Sequence, residues 1–100
     1  MHVKAKIKNQ LTYVRVLAKH PMETGHRINN KTGETIPAKY IQELRCEHNN
    51  KVVFLAQLGI SVSRDPFLSF SFKGAKKGDL LMLRWNDNTG DIEKVEVIIQ

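Results

Sequence analysis

Cys46 and His48 stand two residues apart, and in an extended strand that spacing puts a thiol and an imidazole on one face. An imidazole there could take the thiol proton and leave a nucleophile. The competing description carries more weight: Cys46 falls in an apolar register with Tyr40 and Leu44, where a small thiol is an ordinary packing residue. His20 and His26 straddle the mouth of a long connection, but two imidazoles six residues apart without a third ligand fall short of a metal set. Glu23, Glu34, Glu43, Glu47 and Asp65 are dispersed and form no acid–base pair. Neither a glycine-rich phosphate cradle nor a Gly-x-Ser-x-Gly elbow is present. No catalytic, cofactor-binding or metal residue is therefore expected, and the chain does not read as an enzyme.

The elements that would position these residues have a period of two. Val3, Ala5 and Ile7 alternate with Lys4, Lys6 and Lys8, and Val14, Val16 and Ala18 alternate with Tyr13, Arg15 and Leu17. Tyr40, Leu44 and Cys46 oppose Ile41, Glu43, Arg45 and Glu47. After the Asn49-Asn50 hairpin signal, Phe54, Ala56 and Leu58 oppose Val53, Leu55 and Gln57. Leu68, Phe70 and Phe72 alternate with Ser69 and Ser71; Leu81, Leu83 and Trp85 point inward; Val95, Val97 and Ile99 close the chain. Seven strands at this spacing predict an all-β, immunoglobulin-like antiparallel sandwich, one domain over residues 1–100, with a five-stranded barrel as the competitor. Val14, Val16, Leu44, Phe54, Phe70, Leu83, Trp85 and Val97 should meet in one cluster.

The segment from His20 to Tyr40 is far longer than a hairpin needs. Pro21 and Pro37 fix φ at its two mouths, and Asn29–Gly33 offers turn chemistry between Ile28 and Ile36. A short two-stranded arm, pinned at its base, is expected; a disordered loop is the alternative.

Sixteen Lys and Arg against ten Asp and Glu give a net charge of +6. The lysines fall in separate groups: Lys4, Lys6 and Lys8; Lys19, Lys31 and Lys39; Lys73, Lys76 and Lys77. Without interleaved aromatics they do not read as a nucleic-acid surface, and nucleic acid is not expected as a partner. A basic module for nucleic acid or another anionic partner remains the alternative, decided by whether the lysines converge on one face. One cysteine excludes an intrachain disulfide. No apolar run has signal-peptide or membrane-spanning length, so no membrane association is expected and any export would need a carrier.

The outward register carries unusual apolar surface: Leu17, Ile41, Val53, Leu55, Leu80 and Met82, with Met22 in the loop and Phe67 at a strand entrance. A partner interface over Met22, Val53, Leu55, Phe67, Leu80 and Met82 is expected from this, with a homodimer of the isolated chain as one way to cover it. A register slip at a bulge is the alternative account.

Several blocks are shared with one family. His20-Pro21-Met22-Glu23-Thr24-Gly25, Ile36-Pro37-Ala38 with Ile41-Gln42, Pro66-Phe67-Leu68-Ser69-Phe70 with Phe72-Lys73-Gly74, Gly78-Asp79 and Trp85 together resemble SoxZ, the Z subunit of the SoxYZ sulfur-carrier complex. The resemblance implies an immunoglobulin-like domain that pairs, as a heterodimer, with a Y subunit in thiosulfate and sulfur oxidation. The Y subunit of that family holds the sulfur intermediates on a cysteine of a C-terminal arm, and the enzymes of the system act through the complex. It also implies a periplasmic location without a signal peptide of its own, by co-export with the partner. His20, Met22 and His26 would then lie near the carrier arm or a processing enzyme.

Overall fold

Two tight hairpins set the register of the N-terminal and central strands. The structure, a computed structural model, describes residues 1–100. Strands β1 (His2–Lys8) and β2 (Leu11–Leu17) turn at Asn9-Gln10, and β3 (Ile41–His48) and β4 (Lys51–Gln57) turn at Asn49-Asn50. All four turn residues have positive φ, between 51° and 71°. That is the backbone twist a two-residue hairpin loop requires, and asparagine tolerates it. Strands β5 (Phe67–Lys73), β6 (Leu80–Asp87) and β7 (Ile92–Ile98) complete the chain, which has no helix.

The strands form two antiparallel sheets, β1-β2-β5 and β4-β3-β6-β7. The seven-stranded sandwich is thus as expected. Its interior is one cluster that includes Val14, Val16, Leu44, Leu83 and Trp85, all buried, with Phe54, Phe70 and Val97 packed against it but only half-buried. Phe54 of β4 and Phe70 of β5 stack in parallel with ring centroids 4.0 Å apart. They sit at the side of the sandwich where β4 and β5 are both edge strands, which explains their partial exposure. On the opposite side, Gln100 exchanges backbone hydrogen bonds with Ala5 and Ile7, so the chain end ties the two sheets together.

Two bulges correct the outward set read from alternation. Ile41 pairs with Asp87 and Glu43 with Asn86, leaving Gln42 as an extra residue in β3. The extra residue returns Ile41 to the interior, where it is fully buried, alongside Leu44. In the other bulge, Cys46 pairs with Phe54 and Glu47 with Val52, so Val53 is the extra residue of β4. Val53 consequently packs against the core together with Phe54 instead of standing fully outward.

What remains on the outer face of the four-stranded sheet is divided by charge. Leu55 pairs with Arg45, which pairs with Arg84. Met82 lies between Glu47 and Glu96, and only Leu80 and Ile98 meet directly. The expected continuous apolar sheet face is therefore a set of islands, and that argument for an obligate partner does not hold.

Candidate functional site

The connection from Ala18 to Tyr40 is a two-stranded arm on a braced base. Glu23 and Lys39 exchange backbone hydrogen bonds at 2.6 and 3.0 Å, and Ile28 bridges Thr35 further out. At the tip, the amide of Lys31 donates to Asn29 Oδ1, and Gly33 donates to the Asn29 carbonyl. Residues His26 to Thr35 are all exposed. The Cα extents of 53 × 21 × 17 Å, about twice the length of one seven-residue strand along the long axis, fit an arm that projects.

The base is organised by Asp87, the last residue of β6, which no motif in the sequence marks. Its Oδ1 accepts from the amides of Thr89 and Asp91 and from the Thr89 hydroxyl, at 2.7 to 3.0 Å. Its Oδ2 faces His20 Nε2 at 3.0 Å and Lys39 Nζ at 2.7 Å. Burial works against ionisation of this carboxyl, but the hydrogen bonds from His20, Lys39 and Thr89 outweigh it and hold the group well below the usual carboxylate range. Lys39, bonded also to Asp91 at 2.6 Å, is correspondingly raised, chiefly by its bonds to Asp87 and Asp91. Next in the turn, Asn88 accepts from the Tyr40 amide and donates to the Ala38 carbonyl, clamping the returning limb of the arm.

The block His20-Pro21-Met22-Glu23-Thr24-Gly25 forms the other half of this brace. His20 is buried; its Nδ1 accepts from the Met22 amide at 3.0 Å, so the ring proton sits on Nε2 and is directed at Asp87. Trp85 meets the ring edge-on, with centroids 5.1 Å apart. Met22 holds an unusual positive φ of 49° and is buried, and its Sδ lies 3.4 Å from the Ile41 amide. Gly25 has φ +87°, and a Cβ there would come within 3.1 Å of the Ala38 methyl, so glycine lets the two limbs close.

Two readings change as a result, those of Met22 and of the loop residues expected near a carrier arm. Met22 is a core residue, not an interface one. His20 and His26 share no ligand geometry, because both ring nitrogens of His20 are engaged within the fold while His26 is exposed on the arm. Of the three residues expected near a carrier arm or enzyme, only His26 is exposed.

Cys46 and His48 do share the inward face of β3, and both are buried. They are not a catalytic pair. His48 Nε2 lies 2.8 Å from Asp79 Oδ2, a carboxyl held below its ordinary range first by that bond and then by the Lys76 amide. The Cys46 thiol is pushed up to about 12 by burial and by neighbouring Glu47, so it is protonated at neutral pH and shut away from solvent.

Part of the lysine set converges, as the anionic-partner alternative requires, whereas Lys31 sits at the arm tip and Lys39 is bound to Asp87. Lys4, Lys6 and Lys8 of β1, Arg15 of β2 and Lys73 of β5 all occupy the outer face of the three-stranded sheet. Adjacent strands place them together, a relation that no local spacing signals.

These features define an all-β, immunoglobulin-like sandwich domain with a braced arm, a basic sheet face and a cysteine that serves packing. The family described as Sulphur oxidation protein SoxZ matches residues 1–97, and the chain belongs to it. Its setting is therefore sulfur oxidation. No curated protein matches the chain.

Proposed function

We propose that the chain is the non-catalytic subunit of a sulfur-carrier heterodimer in bacterial thiosulfate and sulfur oxidation, scaffolding a Y subunit whose C-terminal cysteine carries the intermediates. Family membership supports the setting. The observation that carries the division of labour is the placement of Cys46, the only thiol: it is fully buried, and burial pushes the thiol up, away from the thiolate form. A covalent sulfur intermediate needs an accessible thiolate, so a buried Cys46 supports a carrier cysteine on another chain. Apolar residues on the outer face of the four-stranded sheet, exposed Leu55 and Leu80 with half-buried Met82, are the interface candidates, with half-buried Val53 beside the open edge of β4; exposed Phe67 lies on the other sheet. The complex works in the periplasm, and the chain reaches it together with its partner.

Mixing the purified chain with the Y subunit, loading with thiosulfate in the presence of the oxidising enzymes, and mapping added mass by peptide tests this reading. A one-to-one complex with all added mass on the Y cysteine is expected, and Cys46→Ala should leave loading unchanged. Sulfur found on Cys46, or a chain that only self-associates, overturns it.

A further inference from the structure

Lys4 stands directly opposite Arg15 and Lys6 opposite Tyr13 in the β1–β2 ladder, while Lys8 and Lys73 lie on either side of Leu11. The five cations are exposed, and none lies within salt-bridge distance of a carboxylate. Strands β1, β2 and β5 contain no Asp or Glu at all. The four strands of the other sheet hold five carboxylates against four Lys and Arg, so the positive charge of the sandwich is concentrated on one side. Like charges directly opposite on a sheet are destabilising, and nothing in the chain offsets the Lys4–Arg15 pair. An anionic surface laid against it would.

We propose that the outer face of the three-stranded sheet is a docking surface for another protein that presents carboxylates around an apolar contact. A single small oxyanion does not account for it: the cations spread over roughly 13 Å along the strands and 10 Å across them. The depression of about 330 Å³ among Lys4, Lys6, Lys8, Tyr13 and Arg15 is open, not an enclosed anion pocket. Single-stranded nucleic acid is served by a series of adjacent stacking aromatics, and the two exposed aromatics of this face, Tyr13 and Phe67, stand on different strands with the Lys4–Arg15 row between them. The ladder row next to Lys4 and Arg15 is His2, Leu17 and Phe67, and Phe67 is 62% exposed. An apolar anchor flanked by charge is the make-up of a protein interface. A second copy laid face to face would set these cations against themselves, so the occupant is a different, acidic chain. This inference concerns a surface apart from Leu80 and Met82 and does not depend on pairing with the Y subunit.

The test is a titration of the isotopically labelled full chain, followed by backbone amide shifts, with three probes: a short peptide of Glu, Asp and Leu, an oligothymidylate of equal charge, and sulfate. Shifts confined to β1, β2 and β5 are expected, with the peptide binding about tenfold tighter than either other probe and weakening with salt. The double variant Lys4→Gln/Arg15→Gln should lose about tenfold in peptide affinity, and Phe67→Ser several-fold, whereas Arg84→Gln/Lys94→Gln on the other sheet should change it less than about twofold. The first double variant should also melt at a higher temperature than the parent, since it removes a facing like-charge pair. If it fails to fold, Lys6→Gln/Lys73→Gln supplies the affinity readout. Shifts on the four-stranded sheet, tighter binding of the oligothymidylate, or equal binding of sulfate overturns the proposal.

Discussion

Asp87 accepts hydrogen bonds from three parts of the chain: the arm entrance at His20, the arm return at Lys39, and its own turn at Thr89 and Asp91. Its lowered pKa makes a statement about stability. A carboxyl whose folded pKa lies below its unfolded value contributes stability that is fully present above the unfolded value, near 4, and is lost as pH falls toward the folded one. Urea unfolding of the protein and of Asp87→Asn, followed from pH 7 to pH 3, should therefore show a wide gap in midpoint at neutral pH that narrows below about pH 4. A gap independent of pH would mean that the charge of Asp87 contributes nothing to the brace. Cys46 illustrates the opposite case, a titratable group whose burial removes it from chemistry.

Among the strands, β3 shows how one residue changes the meaning of a pattern. Strict alternation puts Ile41 and Leu55 in the same outward class, and the bulge at Gln42 separates them: Ile41 is fully buried and Leu55 is 49% exposed. Ile41→Ala should accordingly cost about 3 kcal/mol in unfolding free energy, from lost burial and the cavity left behind. Leu55→Ala should change it by less than about 1 kcal/mol, as surface substitutions do. Equal losses would show that the bulge is not where the structure places it. The arm is legible at the same scale, since Pro21, Pro37 and the Asn29–Gly33 turn announce two limbs and a tip, and the structure pairs them.

Over the whole molecule, the apolar and basic surfaces lie on different sheets. Leu80 and Met82 lie on the four-stranded sheet next to Ile98, while the acid-free basic face covers the other sheet. If Met82 contacts the Y subunit, Met82→Asp should weaken that complex by more than about tenfold, because a carboxylate would be desolvated in an apolar contact. Size-exclusion chromatography of the mixed subunits reads this directly, with the melting temperature of the isolated variant confirming that it folds. Undiminished pairing would move the interface elsewhere, to the open β4–β5 side.

Strand number, sheet class, the hairpin at Asn49-Asn50 and the centre of the core were legible in the sequence, because alternation and turn chemistry are local and repeat along the chain; Ile41 and Met22 joined the core against that reading. Val14, Val16, Leu44, Leu83 and Trp85 sit where alternation puts them. Tertiary structure alone decided the rest. Asp87 meets His20 across 67 residues, and Lys73 joins Lys4 and Lys6 only because β2 pairs with both β1 and β5. Long-range pairings depend on which strand lies beside which, and a single inserted residue reverses the face of all that precedes it. Periodicity read one segment at a time contains neither piece of information.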